Sequence, residues 1–263
     1  MASNQDKIIS HYSGYKEDDR AKESRAAGLE FHYTKKILSK YITSKSQVIE
    51  LGCATGYYGM FFADKCSQYT GIDISPDNIA IFQEKIVVEK MENVRAIIGD
   101  ATALLEFSDN SFDVVLCLGP MYHLPREERL MVFGECFRIA KPGAIVAFAY
   151  INGLGAYLAA CVDDKLRSIY PNAETNQSVF EYNTDDQLPG VFFFTSSEEM
   201  ENDAKQKNLE ILENRGVNFH FAACAIDAMN EEQFECYMML ADKMSASPSC
   251  VGLSAHALLI CRK

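Results

Sequence analysis

The chain alternates two kinds of hydrophobic pattern, and that order admits few folds. Between Val48 and Ile151, strand-length apolar runs follow one another: "VIEL" at 48–51, "QYTGIDIS" at 68–75, "VRAIIGD" at 94–100, "FDVVLCLG" at 112–119 and "AIVAFAYI" at 144–151. The fourth is nearly all apolar, which suits a strand covered on both faces. The segments between them have helical spacing. A helix runs from the glycines after the first strand to about Lys65. Another carries Ile79, Phe82 and Ile86 behind Ser75-Pro76, where serine caps the helix and proline's missing N–H removes nothing. A third starts at Pro125, carries Leu130, Phe133 and Phe137, and stops at Lys141-Pro142-Gly143. Alternating strands and helices imply a doubly wound α/β sheet with right-handed crossovers. Ligands of such sheets sit at the carboxyl ends of the strands, near the topological switch point.

The flanks are less regular. Gly28 to Tyr41 reads as a helix with Leu29, Tyr33, Ile37 and Leu38 on one face. Asn152 to Tyr170 looks helical toward its end, Pro171 to Gly190 reads as loop or cap, and Phe192-Phe193-Phe194 reads as a buried strand. Ser196 to Asn208 is a helix opened by Ser196 with Glu199 three residues on, a capping-box pattern. "LEILENRGV", a helix over Glu231–Met244 and "SAHALLICRK" then complete the sheet, with one antiparallel strand near the C-terminus. The expected organisation is a single domain, 1–263. It divides into a helical N-terminal lid (1–45), a cofactor-binding core (46–151), a variable cap (152–195) and a C-terminal completion of the sheet (196–263).

Bulk properties narrow the function. The net charge is −12 and no lysine–arginine cluster exceeds pairs such as Lys35-Lys36. Nucleic acid and anionic membrane surfaces are therefore disfavoured partners, since both need neutralising cations. No window approaches the roughly 20 apolar residues of a membrane helix, and the first residues hold no long apolar stretch after a basic start. The nine cysteines are odd in number and no two form a CxxC. Free thiols in a reducing cytoplasm and no structural metal are the expectation.

The first strand ends in "ELGCATGYYG", residues 50–59. A phosphate-binding P-loop needs lysine and then serine or threonine after its last glycine, but Tyr57-Tyr58 follow Gly56. A dinucleotide turn needs a middle glycine to admit the pyrophosphate, but Ala54 stands there. A nicotinamide cofactor is thus off-pattern, though it stays open. S-adenosylmethionine has no phosphate and carries a sulfonium cation, so acidic strand ends suit it. Glu50, Asp73 and Asp100 lie at three such ends. A carboxylate at 73 can accept from both ribose hydroxyls, and one at 100 from the adenine amino group.

At these residues the chain resembles a family. "VIELGCATGYYG", "GIDIS", "IIGDATAL" and "FDVVLCLGPMYHL" look like the successive motifs of class I S-adenosylmethionine-dependent methyltransferases. "LGPMYHL" followed by "RIAKPGAIVAFAYI", with "HYSGYKEDDR" and "GLSAHALLICRK" at the ends, is similar to a small-molecule subgroup with Leu-Gly-Pro-Leu-Tyr-His-Leu at this place. Cys53 stands where glycine or alanine is common, and Met121 replaces a leucine. The resemblance implies a Rossmann-like fold. It implies that Glu50, Gly52, Cys53, Ala54 and Gly56 line the methionine and ribose end. Asp73 and Ile74 then hold the ribose and one adenine face, Asp100 and Ala101 meet the adenine, and Leu118 lies beneath the cofactor.

The reaction implied is in-line displacement of the methyl group to a small-molecule O, N or S acceptor, leaving S-adenosylhomocysteine. Positioning and water exclusion can supply much of the catalysis. No Asn/Asp-Pro-Pro-Tyr/Phe follows the fourth strand, which argues against DNA and protein amide N-methyltransferases. His123, just past that strand, is the candidate general base; a structural histidine bonded to a carbonyl is the other reading. Tyr122 either packs or shapes the acceptor pocket. Tyr12, Tyr15, Arg20 and Arg25 lie in the lid, with Tyr15 and Arg25 taken toward the cofactor and an arginine there able to pair with its carboxylate. His220 and His256 read as core. A nicotinamide-dependent oxidoreductase and a non-catalytic S-adenosylmethionine-binding protein are the rival functions. The oligomeric state is open.

Overall fold

The computed structural model describes residues 3–12, 17–219 and 223–263. Tyr15 and His220 lie outside the described residues. One seven-stranded sheet has the order β3-β2-β1-β4-β5-β7-β6. Its parallel part is β1 (Gln47–Leu51), β2 (Gln68–Asp73), β3 (Val94–Ile98), β4 (Phe112–Cys117) and β5 (Ala140–Ile151). β6 (Glu210–Gly216) is the far edge, and β7 (His256–Arg262) is antiparallel to both β5 and β6. The order reverses between β1 and β4, so the ligand crevice of such a sheet opens above those two strands.

Strand periodicity decides which side chain meets which layer. Val48 packs into one core, with Phe62, Tyr69 and Phe82, while Ile49 and Leu51 pack into the other, with Val115, Phe133 and Phe148. Glu50 falls in step with Val48 and points to the first layer, where Tyr69 meets it. That layer is covered by α3 (Arg25–Leu38), α4 (Tyr57–Phe62), α5 (Pro76–Val88), α10 (Ala223–Asp227) and α11 (Glu231–Ala246). The second is covered by α6 (Arg126–Ile139) and α9 (Ser197–Gln206). Phe82 is fully buried, a burial that stabilises by about 1.5–3 kcal/mol for a side chain of this kind.

Several expectations shift. The first long helix begins at Arg25 rather than Gly28, because the Ser24 hydroxyl accepts from the N–H of Ala27 and caps it. The segment after β5 is helical at its start, α7 (Gly153–Val162), not at its end. The stretch read as loop contains α8 (Ala173–Tyr182), capped by Asn172 accepting from the Thr175 N–H and closed by Asn183 in the left-handed region. Phe192–Phe194 forms no strand; a lone bridge pairs Asn152 with Thr195. Ser196 caps α9 as expected, but Glu199 turns its carboxylate to Thr195, Arg126 and Arg129 instead of closing the box.

Candidate active site

The glycine turn is shaped by two contacts. Gly52 has φ +73, and a Cβ there would lie 2.7 Å from the Pro120 ring and 2.9 Å from Gly119 Cα, so the turn abuts the loop after β4. Gly56 has φ +85, and its Cβ would land 2.1 Å from the Phe82 ring. Gly56 therefore serves the packing of α4 on α5, and it is not among the residues that line the cavity described below. Between them Ala54 sits at φ +44, a conformation that strains a residue with a Cβ. Its N–H donates to Asp73 Oδ2 at 2.9 Å, which holds the strained residue in place.

A cavity of about 1250 Å³, counted to its open mouth, lies over the β1/β4 switch point. Glu50, Gly52, Cys53 and Ala54, the residues of the glycine turn, line its floor. Asp73, Ile74, Asp100, Ala101 and Leu118 line the rest of the predicted path. The three carboxyl groups differ. Glu50 is 1% exposed and accepts from Tyr69 Oη at 2.6 Å; burial pushes its carboxyl up to about 8, with the Tyr69 bond opposing and Asp73 adding. Burial also raises Asp73, against the N–H groups of Ser75 and Ala54 and the Asn78 amide, which favour the ionised form. Asp73 thus organises the turn as well as facing the cavity. Asp100 accepts from the Thr102 N–H and hydroxyl, and from Gln5 Nε2 at 2.6 Å.

The N-terminal helices roof the cavity. From α1 (Asn4–Tyr12), Gln5, Ile8, Ile9 and Tyr12 line it, and Ile8 is buried. From α2 (Glu17–Arg20), Arg20 reaches in, pairs with Glu30 at 2.9 Å and stacks over Phe31. Arg20, not Arg25, is the arginine at the cavity. Arg25 turns the other way, to the Met229 carbonyl, Glu231 and the face of Phe234, because it opens α3 next to α11. Cys53 is buried, and burial drives its thiol up, so it acts as a small wall residue.

His123 lies against the cavity, 6% exposed, with both ring nitrogens engaged. Nδ1 is 2.8 Å from the Val191 carbonyl and Nε2 is 2.8 Å from Tyr12 Oη. Desolvation brings its pKa down to about 4, partly offset by the Val191 bond, so the ring is neutral at pH 7. His256 is not core. It lines the cavity, 3.7 Å from Glu30, and accepts at Nδ1 from the Asn218 amide. Tyr122 lines the cavity and also packs on the cap cluster around Tyr157 and Phe194. Sequence reasoning missed Gln5, Glu30 and Tyr58 as lining residues. Glu30 did leave a trace: it falls in step with Ala26, Thr34 and Ile37 on the buried face of α3, where a carboxylate needs a partner.

Among the described residues no group of three or more His, Cys, Asp or Glu side chains could hold a metal ion, and no helix is long and apolar enough to cross a membrane.

Comparison with known proteins agrees with this geometry. Residues 48–143 match the family described as "Methyltransferase domain". Over 117 residues the chain is 36% identical to a ubiquinone biosynthesis O-methyltransferase of Pseudomonas fluorescens, covering 44% of this chain and 49% of that one. A protein of the same description from Vibrio cholerae is 27% identical over 136 residues, 51% of this chain and 54% of that one. The chain thus spans about half the length of the curated relatives it matches. Among solved structures, the PH0226 protein of Pyrococcus horikoshii superposes with a TM-score of 0.63 at 19% identity, covering 96% of this chain and 98% of that one. The [4+2]-cyclase SpnF superposes with a TM-score of 0.57 at 20% identity, covering 88% and 80%. A methyltransferase of Mesorhizobium loti, described as S-adenosylmethionine-dependent, superposes at 0.58 and 12% identity, covering 90% and 99%. Residues 48–143 are thus similar in sequence to a methyltransferase domain, and the whole chain shares its Rossmann-like fold with solved methyltransferase structures.

Proposed function

We propose that this cavity binds S-adenosylmethionine and that the chain transfers its methyl group to the hydroxyl of a small molecule, leaving S-adenosylhomocysteine. One observation carries the reading: three carboxyl groups, Glu50, Asp73 and Asp100, edge the cavity floor, and among the described residues its only lysine or arginine is Arg20. A pyrophosphate placed on this turn would face those acids; a sulfonium-bearing nucleoside would be favoured by them. In this reading Asp73 accepts from ribose hydroxyls, Asp100 accepts from an adenine amino group, and Arg20 meets the methionine carboxylate. When bound, S-adenosylmethionine supplies an electrophilic methyl group on a positively charged sulfur.

The roof residues Ile8 and Ile9, with Leu124, Ala149 and Val217, give the cavity an apolar wall that disfavours water. An uncharged acceptor fits it better than an anionic one, since Arg20, the only lysine or arginine among the described lining residues, is already assigned to the methionine carboxylate. The O-methyltransferase names of the similar proteins support oxygen as the acceptor atom. Because a cyclase shares the fold, binding alone does not establish methyl transfer.

Calorimetric titration with S-adenosylmethionine, S-adenosylhomocysteine and NADH tests the cofactor. Micromolar binding of the first two and none of the third is expected; NADH binding, or no binding at all, refutes the reading. Formation of S-adenosylhomocysteine with a panel of phenols and alcohols then tests transfer. Binding without that product across the panel would favour a non-catalytic S-adenosylmethionine-binding protein.

A further inference from the structure

The first turn of α1 is held from three sides. Ser3 Oγ accepts from the Asp6 N–H at 3.1 Å, and Asp6 Oδ2 accepts from the Ser3 N–H at 3.0 Å, a reciprocal cap. Asn4 Nδ2 donates to the His123 carbonyl at 3.0 Å. Ile8 is buried. Gln5, Ile8 and Tyr12 recur on one face of the helix and line the cavity. From that face Gln5 Nε2 donates to Asp100 Oδ2 at 2.6 Å. A carboxylate can only accept, so the amide nitrogen must be the atom that faces it, and Gln5 Oε1 is turned away from it. Among the described residues Gln5 Oε1 has no hydrogen-bond partner. Asp100 Oδ1 already accepts from the N–H and the hydroxyl of Thr102, both at 2.8 Å. Two acceptor positions therefore remain at this end of the cavity: the second lone pair of Asp100 Oδ2, and Gln5 Oε1.

We infer that Gln5 is a specificity-determining residue of the cofactor site: together with Asp100 it reads the 6-amino group of the base, whose two N–H bonds match the two acceptors. The inference rests on the S-adenosylmethionine reading above and deepens it. Asp100 alone takes one N–H of an amino group and leaves the other unmatched; Gln5 Oε1 takes the second. A base with an oxygen at position 6 would turn a lone pair toward both acceptors. A base with only hydrogen there would leave both desolvated and unpaired, and a site built to bond an N–H rejects a ligand that lacks it. Asp100 also fixes the orientation of the amide, since a flipped Gln5 would set Oε1 against a carboxylate oxygen. The roof thus takes part in reading the base, through a side chain 95 positions away from the acid it joins.

The test needs no knowledge of the methyl acceptor. Calorimetric titration of the full chain compares S-adenosylhomocysteine with its analogue carrying hydrogen in place of the 6-amino group. Wild type should prefer the amino ligand by about a hundredfold. Gln5→Ala removes one acceptor and puts a good helix former in its place. It should narrow the preference by about tenfold, chiefly by weakening S-adenosylhomocysteine, with the analogue little changed. Asn4→Ala loosens α1 without touching the base, so it should weaken both ligands by the same factor and leave the preference intact. An unchanged preference in Gln5→Ala would give the reading to Asp100 alone and overturn the inference. Tighter binding of S-adenosylhomocysteine by that variant would overturn it as well, since Gln5 would then compete with the base. Equal narrowing in Asn4→Ala would place the effect on the roof as a whole and refute a specific role for Gln5. Equal affinity of wild type for the two ligands would refute any reading of position 6. Failure of wild type to bind S-adenosylhomocysteine at all would instead sink the cofactor reading on which the inference stands.

Discussion

Glu50→Gln should make the protein more stable at alkaline pH and a poorer binder of S-adenosylmethionine. Glu50 is 1% exposed, and its carboxyl titrates near 8 instead of 4.5, burial being the largest cause. The folded state therefore keeps a proton that the unfolded chain has already lost above pH 4.5. The sign follows from proton counting: where the native state binds more protons, stability falls as pH rises. The loss begins near pH 4.5, runs at about 1.4 kcal/mol per pH unit, and levels off near pH 8, on the order of 3–5 kcal/mol in all. Glutamine has the same shape and no proton to lose, and its carbonyl can still accept from Tyr69. Urea unfolding of both proteins at pH 5, 6.5 and 8 reads the difference. The two should be nearly equal at pH 5, and the variant should lead by a few kcal/mol at pH 8. Only the difference counts, because other carboxylates titrate in both proteins. The second arm is affinity. The amide cannot ionise against a sulfonium, so S-adenosylmethionine should weaken at least tenfold, and the neutral S-adenosylhomocysteine much less. Parallel pH curves for the two proteins would refute the buried proton, and equal losses for both ligands would refute its electrostatic role.

Three further outcomes follow from the turn. Asp73→Asn replaces an acceptor of the Ala54 and Ser75 N–H groups by an amide that can satisfy only part of them. It should remove about 1.5–3 kcal/mol, lowering Tm by several degrees without ligand, and it should weaken S-adenosylmethionine at least tenfold; an unchanged ligand-free Tm would show that the carboxylate does not hold the turn. Gly56→Ala forces a Cβ to 2.1 Å from Phe82 at φ +85, which should cost about 2–5 kcal/mol by denaturant unfolding, partly recovered by Phe82→Leu. Ala54→Gly removes the strain at φ +44 and should be neutral or stabilising by up to about 1 kcal/mol; clear destabilisation would mean that the Ala54 methyl packs more than its backbone strains.

What was legible in the sequence, and what was not, divides by range. β1 to β5 and the helices between them carry their own signals, because a parallel strand covered on both faces must be nearly all apolar and Ser75-Pro76 caps α5 locally. Asp73 and Asp100 were found because a strand's end can be read from its own residues. α7 escaped because it has no single apolar face: it opens on two glycines, and Leu154 and Leu158 point outward while Gly155 and Tyr157 are buried. α8 had a readable start in Pro171-Asn172, outweighed by the polar residues that follow. The site residues that escaped are set at long range. Whether Arg20 or Arg25 reaches the cavity depends on how α2 and α3 turn against each other, and Arg25 is drawn off by Glu231 and Phe234 from the far end of the chain. Gly56 announces a turn in the sequence, but only the fold shows that the Phe82 ring fills the space where its side chain would be. His123 shows the same limit from the other side. Its place after β4 marked it as a candidate, yet the hydroxyl that meets its Nε2 belongs to Tyr12 of α1, more than a hundred residues earlier, and no spacing in the sequence announces that pairing.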